Sequence, residues 1–273
     1  MITLYRTEEI DRIAQGGRIL AELYRAIPAE VRPGATTADL DRFAEEFIRG
    51  HAGAEPAFKG LYGFPATLCT SVNYEVVHGI PSHRRRLVEG DVISIDCGVK
   101  LEGFYADAAI TVGVGEVKAE TAELLERTRA ALYRGIAEAR PGNRLGDVGA
   151  AIQEVADAAG YGVVRELVGH GVGRKPHEEP QVPNFGKRGK GLKLAEGMVL
   201  AIEPMFNLGV AGVRTMPDRW TVVTADRKVS AHWEHTVAVT ADGPRILTAD
   251  PAFESVFPVA AGNGGAQGEV GAS

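Results

Sequence analysis

The stretch Glu89-Gly90-Asp91-Val92-Ile93-Ser94-Ile95-Asp96, followed by Gly103-Phe104-Tyr105-Ala106-Asp107, decides the fold. Val92, Ile93 and Ile95 are strand formers, and so are Tyr105, Ile110, Thr111 and Val112. Lys100-Leu101-Glu102-Gly103 reads as the turn between two paired strands. Folding about the Leu101–Glu102 bond sets Asp96 opposite Asp107. Opposed Cβ atoms lie roughly 4.5–5.5 Å apart, where like charges destabilise a sheet. Two facing aspartates therefore call for a cation or a shared proton.

The phrase recurs. Glu196-Gly197-Met198-Val199-Leu200-Ala201-Ile202-Glu203 repeats the pattern Glu-Gly-x-Val-aliphatic-small-Ile-acid. A His-Gly pair precedes each copy, His78-Gly79 and His170-Gly171. A second strand with an acid follows each copy: Asp107 in the first, Glu234 within His232-Trp233-Glu234-His235-Thr236-Val237 in the second. A repeat of about a hundred residues predicts two pseudo-symmetric halves rather than a solenoid. The halves fall at about 1–115 and 116–259 of a single domain, followed by a Gly/Ala-rich tail, 260–273, expected to be disordered. The acids end apolar strand phrases, where an unpaired charge costs several kcal/mol. Four such acids with a histidine point to metal.

Composition narrows the function classes. The 273 residues are 45% hydrophobic, enough for a well-developed core. A net charge of −6 argues against a dedicated nucleic-acid binder. No apolar run approaches the roughly 20 residues that cross a bilayer, and residues 1–11 lack the apolar segment of a secretory leader. Cys69 and Cys97 form no disulfide framework and fit a reducing cytoplasm. Strand alternation turns Cys97 away from Asp96, into the core.

The remaining elements follow in order. A helix from about Thr7 to Ala26, capped by Thr7, carries Ile10, Ile13, Gly17, Leu20 and Tyr24 on one stripe. Thr37 caps a second helix ended by Gly50. An aromatic-rich loop with Phe58, Leu61, Tyr62 and Phe64 leads to a strand from Thr67 to Val77. The second half repeats this with helices from about 119 to 139 and from Leu145 to Gly160, and strands from Val163 to Val168, up to Glu203, from Trp220 to Thr224 and up to Thr240. Helix, helix and strands, twice over, predict an α+β fold with helices on one face of a curved, mostly antiparallel sheet. The acids then converge on the open face.

Asp96, Asp107, Glu203 and Glu234 exceed what one catalytic zinc takes, which is three protein ligands and a water. Two divalent ions with bridging carboxylates match their charge better, and such pairs acidify a water and clamp attacking and leaving atoms. Oxygen-dominated ligation with one imidazole suits Mn, Fe or Co at least as well as Zn. A calcium site or a cluster of surface acids is the plainer alternative. His170, in a Gly-rich turn, reads as a ligand, and His78, in the equivalent place, as a substrate contact. His177 opens His177-Glu178-Glu179-Pro180, which lacks the second histidine of His-Glu-x-x-His; donation to a carbonyl oxygen suits it. His51, His83, His232 and His235 carry no distinctive context, and alternation turns His235 away from the acids.

These pieces, in this order, resemble the type I methionine aminopeptidases within the pita-bread metallopeptidases. They are His78-Gly79-Ile80-Pro81, Asp96 with Asp107, Gly169-His170-Gly171-Val172-Gly173, His177-Glu178-Glu179-Pro180, Ile202-Glu203-Pro204-Met205 and Glu234-His235-Thr236. The resemblance covers about residues 5 to 250. It implies that Asp96, Asp107, His170, Glu203 and Glu234 ligate two divalent ions, with Asp107 and Glu234 bridging. It implies that His78 and His177 contact the scissile amide and its developing oxyanion, and that Glu203 shuttles the proton of the attacking water. The implied reaction removes the initiator methionine from nascent chains and peptides whose second residue is small. Cys69 and Trp220 stand where the family places pocket residues, with Phe58 and Phe64 beside them. Near Phe58, Leu61 and Phe64 the bacterial pattern is richer in cysteine and tyrosine, and Pro176 stands where an aromatic is expected.

The implied enzyme is monomeric and cytoplasmic, and bound to no membrane. Basic clusters at Arg84-Arg85-Arg86 and at Lys187, Arg188, Lys190 and Lys193 suit either solvated loops or transient contact with ribosomal RNA. An Xaa-Pro peptidase of the same fold is the nearest rival, although such relatives carry a substantial extra N-terminal domain. A non-catalytic binding protein on this scaffold is the rival from another class, and such relatives lose metal ligands.

Overall fold

The computed structural model describes residues 2–249, so the tail and the last residues of the second half lie outside the described residues. Four helices, α1 (Thr7–Ala26), α2 (Thr37–Arg49), α3 (Ala119–Glu138) and α4 (Leu145–Ala159), alternate with strands as the repeat requires. The first half supplies β1 (Ala54–Pro56), β2 (Leu68–Val72), β3 (Glu75–Val77), β4 (Val92–Leu101) and β5 (Phe104–Gly113). The second begins with β6 (Gly162–Val163), β7 (Gly169–Gly171), β8 (Glu178–Val182), β9 (Val199–Ile202) and β10 (Met205–Asn207). It closes with β11 (Val213–Thr215), β12 (Val222–Thr224), β13 (Ser230–His232), β14 (Glu234–Thr240) and β15 (Gly243–Ile246).

Nine strands form one sheet in the order β1-β4-β5-β14-β9-β7-β8, with β2 also on β4 and β15 also on β14. The pairings are antiparallel. β5 and β14 meet at the seam between the halves, flanked by β4 and β9, so the repeat in sequence becomes a repeat in space. Alternation sends Ile93, Ile95, Cys97 and Val99 of β4 and Ala106, Ala108 and Ile110 of β5 into the helix-covered core. Helix α1 packs on these strands, with Gly16 facing Ala106 and Val99. The opposite face of the same strands carries Asp96 and Asp107.

The seam is narrow. Its ladder pairs only Glu234 with Ala109 and His235 with Ala108. One threonine from each half extends it. Thr236 donates its hydroxyl to the Asp107 carbonyl at 2.7 Å and accepts the Asp107 N–H at 2.9 Å. Thr111 donates to the His232 carbonyl at 2.6 Å and accepts the His232 N–H at 2.9 Å. Both threonines are buried, so each hydroxyl satisfies two backbone groups that water cannot reach.

The hairpin register differs from expectation. The turn is Glu102-Gly103, both with positive φ, so Leu101 pairs with Phe104 and Asp96 with Ala109, while Asp107 pairs with Gly98. Two left-handed central residues give the tight hairpin turn that matches strand twist. Asp96 and Asp107 are therefore diagonal neighbours on one face, within reach of each other. Other boundaries move slightly. Arg6 and Thr36, not Thr7 and Thr37, are the N-caps, and their N–H groups reach Glu9 and Asp39. The strand expected over 67–77 is broken at Asn73 into β2 and β3, because Asn73 turns with φ 59. Val163 to Val168 yields only the two-residue β6, and His170 lies in a short strand rather than a turn.

Candidate metal centre

The acids of both halves converge beneath one cavity of about 330 Å³, whose lining includes Asp96, Asp107, His170, Glu203 and Glu234. Asp96 and Asp107 arrive on β4 and β5, Glu203 just past β9, and Glu234 at the start of β14. Single ligand atoms of Asp107, His170 and Glu234 lie within 4.8 Å of one another. His170 Nε2 is 3.5 Å from Glu203 and 3.9 Å from Asp107. Its Nδ1 is 2.9 Å from the Gly171 carbonyl. That carbonyl can only accept, so the proton sits on Nδ1 and the Nε2 lone pair faces the acids.

Without a cation this arrangement is costly. Burial pushes Asp96 well above the carboxylate range, helped by the charge of Asp107 and a hydrogen bond between the two side chains. Burial lifts Asp107 to about 7, against the pull of the Ala108 N–H and of Asp96. Glu203 and Glu234 are raised by burial first and then by the neighbouring carboxylates. Asp96 Oδ1, Asp107 Oδ1 and Glu234 Oε1 are buried with no hydrogen-bond partner among the described residues. Ligands about 2.0–2.2 Å from an ion lie within about 4.4 Å of each other, so these side chains fit a divalent centre. Two more histidines line the cavity. His78, at φ 59, is held near 4 by burial and then by His177. His177 is exposed at the mouth, its ring between Tyr62 (5.9 Å, stacked) and His170 (4.5 Å, edge-on). Partial burial lowers it too. Burial likewise holds His170 near 4, helped by the charge of His177.

The glycine of each His-Gly pair has a steric reason. A Cβ on Gly79 would fall 2.2 Å from the Thr70 carbonyl, and one on Gly171 would fall 2.3 Å from that of Glu179. Each histidine is therefore carried by backbone packed directly against the next strand.

The cavity wall beyond the acids is apolar. Phe58, Phe64 and Cys69 are buried in a small cluster separate from the main core, with Leu61 and Trp220 packed on it. The Trp220 ring meets Phe64 edge-on at 5.1 Å and His78 at 6.5 Å. His235 points away, between Tyr133 and Thr248, as alternation requires. Sequence reasoning passed over Tyr62, Met205 and His232, which also line the cavity. His232 is 1% exposed, its Nε2 is 3.8 Å from Glu203, and neither ring nitrogen has a hydrogen-bond partner among the described residues. The signal was available, since His232 stands two residues before Glu234 and shares its face.

Comparison with known proteins agrees with this geometry. The chain is 54% identical over 248 residues to a methionine aminopeptidase of Clostridium perfringens, covering 91% of this chain and 99% of the relative. It is 48% identical to methionine aminopeptidase 1 of Bacillus subtilis, with the same coverage. The crystal structure of the methionine aminopeptidase of Thermotoga maritima superposes with a TM-score of 0.89 at 42% identity, over 92% of this chain and 100% of that one. A prolidase from Pyrococcus furiosus shares the fold, with a TM-score of 0.74 at 24% identity over 90% of this chain and 65% of that one. The profile of metallopeptidase family M24 matches residues 11–241, and the chain belongs to that family.

Proposed function

We infer that the protein is a methionine aminopeptidase that hydrolyses the bond after an N-terminal methionine. The observation that carries this reading is one cavity with a buried set of carboxylates and His170 on its floor and an aromatic, thiol-bearing wall beside it. Near relatives across almost the full chain bear the same name.

Asp96, Asp107, His170, Glu203 and Glu234 would hold two divalent ions. When bound, such ions supply Lewis-acid polarisation of the scissile amide and acidify the attacking water. Glu203, whose carboxylate stands beside that water, takes its proton. His177 donates an N–H toward the amide oxygen as charge develops there. His78, deeper in the cavity, holds the substrate amide. Phe58, Phe64, Cys69 and Trp220 receive the side chain of the first residue, and an unbranched thioether packs well on such a surface. The second residue is small. The enzyme acts as a monomer in the cytoplasm, where Cys69 and Cys97 stay reduced. Transient approach to ribosomal RNA rests on Arg84-Arg85-Arg86 and on Lys187, Lys190 and Lys193, since Arg188 is engaged by Glu138 and Glu154.

The test is methionine release from Met-Ala-Ser with added Mn, Co or Zn, with and without chelator, alongside an Ala-Pro dipeptide. Metal-dependent release is expected. Cleavage of the proline dipeptide alone would overturn the substrate, and no cleavage with any metal would leave a binding protein.

A further inference from the structure

His177 projects from the loop that joins β7 to β8, residues 172–177, and that loop is tied down from outside the site. At its start the Gly173 carbonyl accepts the Tyr105 N–H at 2.7 Å. At its end the Tyr5 hydroxyl sits 2.8 and 2.9 Å from the two carboxylate oxygens of Glu178, the residue next to His177. The same hydroxyl accepts the Arg174 N–H at 2.9 Å, and Glu178 also accepts the Lys175 N–H at 2.9 Å. One phenol therefore bonds to both flanks of the loop. Tyr5 is itself anchored: its N–H donates to the Gly197 carbonyl at 2.7 Å, and its ring meets Phe104 edge-on at 6.3 Å. A Cβ on Gly173 would overlap the Tyr5 ring at 2.3 Å, so the loop lies flat on it. Arg174 adds an outer strap, with its guanidinium 2.6 Å from Glu9 of α1 and over the Phe104 ring.

We propose that Tyr5 is a positioning residue for His177, its hydroxyl clamping the β7–β8 loop so that the imidazole stays at the cavity mouth beside His170. The proposal rests on the reading of His177 as a donor to the scissile amide. Tyr5 never reaches the cavity, so its effect passes through the loop. Burial lifts its hydroxyl to about 12, which keeps it a hydrogen-bond donor at every pH the enzyme meets. The N-terminal segment thus becomes part of the catalytic apparatus instead of a lead-in to α1.

The experiment compares Tyr5→Phe, His177→Ala and the double variant in the full-length enzyme, with Met-Ala-Ser at saturating Mn. Phenylalanine keeps the ring and its packing and removes only the clamp. The expected result is a kcat lowered on the order of tenfold, since misplacement of a catalytic group by about 1 Å can cost up to about 10²-fold. KM and metal stoichiometry stay near wild type. In the His177→Ala background the same change adds no further loss, because the group it places is gone. Glu178→Gln, which keeps an acceptor for the phenol, retains most of the rate. An unchanged kcat in Tyr5→Phe overturns the proposal. So does a loss that multiplies undiminished onto His177→Ala, or one that follows metal loss. A His177→Ala enzyme with wild-type kcat removes the premise and the clamp with it; that outcome is distinguishable because methionine release itself continues.

Discussion

Thr236→Val tests whether the seam between the halves places the metal ligands. The substitution keeps the shape of a fully buried side chain and removes one hydroxyl. That hydroxyl accepts the Asp107 N–H at 2.9 Å and donates to the Asp107 carbonyl at 2.7 Å, so valine strands both. Each buried backbone group left without a partner costs about 1–3 kcal/mol, which puts the loss at about 2–6 kcal/mol. In a chain of this length 1 kcal/mol moves the melting temperature by about 2–4 °C, so the drop should fall between roughly 4 and 24 °C. Asp107 is also a proposed ligand. Loosening a group that orients a ligand costs about 10–100-fold in metal affinity. Thr236→Ser keeps the hydroxyl and loses one methyl, about 1 kcal/mol. The assay is thermal melting of the three proteins with and without Mn, together with calorimetric titration of the metal. Two results would refute the reasoning: a valine variant that melts and binds like wild type, or a serine variant as damaged as the valine, which would assign the effect to packing.

The remaining predictions concern the site and its surroundings. Asp96→Asn removes one buried anionic oxygen donor and should lower the metal content of the purified protein; wild-type stoichiometry by elemental analysis would take Asp96 out of the ligand set. Trp220→Ala opens the apolar wall. Burying an aromatic against a side chain is worth about 1.5–3 kcal/mol, so kcat/KM on methionyl peptides should fall on the order of 10–100-fold, chiefly through KM. A fall in kcat alone would place Trp220 elsewhere. His235 is held near 4 by burial and then by the charge of Arg129, below its unfolded value of 6.5. Its folded pKa is depressed, so its contribution is complete above about 6.5 and is lost as pH falls toward 4, about 3 kcal/mol in all. Urea melts of wild type and His235→Gln across that window should show the shallower pH slope in the variant; parallel slopes would contradict the assignment.

Much of the site was legible because a strand side chain changes face with every residue. Acids that end repeated apolar phrases must share a face if the phrases pair, whatever the exact register. The hairpin shows this directly. The turn was placed one position early, because nothing in Lys100-Leu101-Glu102-Gly103 marks Glu102 as a residue that accepts φ 49. The pairing moved by two residues as a result. A slip of two preserves the face while a slip of one reverses it, so Asp96 and Asp107 stayed together as diagonal neighbours. What the sequence hid depended on contacts between distant segments. Tyr5 and Glu178 are 173 positions apart, and no local pattern links a residue before the first helix to a loop of the second half. His232 is a different case: the alternation that puts it on the face of Glu234 is legible, but nothing local marks its ring as lining a cavity.

The duplicated architecture and the chemistry have one physical origin. Each half carries two acids on the open face of its strands, and each half alone would leave β5, or the start of β14, without a neighbour on one side. Joining the edges satisfies the backbone, with Thr111 and Thr236 each serving the opposite strand. The same step crowds four carboxylates into a space where burial pushes the proton affinity of every one upward, and where neighbouring carboxylates push Asp96, Glu203 and Glu234 further. Closing the seam is thus favourable for the main chain and unfavourable for the side chains, and divalent cations reverse the second sign. Ions held as proposed would therefore sit between the halves, at the floor of the cavity they enclose. The apolar wall comes largely from the aromatic loop of the first half, and the imidazole at the mouth from the β7–β8 loop of the second. Neither half alone has both the proposed wall for the methionine side chain and the proposed donor for the amide, so on this reading the reaction belongs to the seam and not to either repeat.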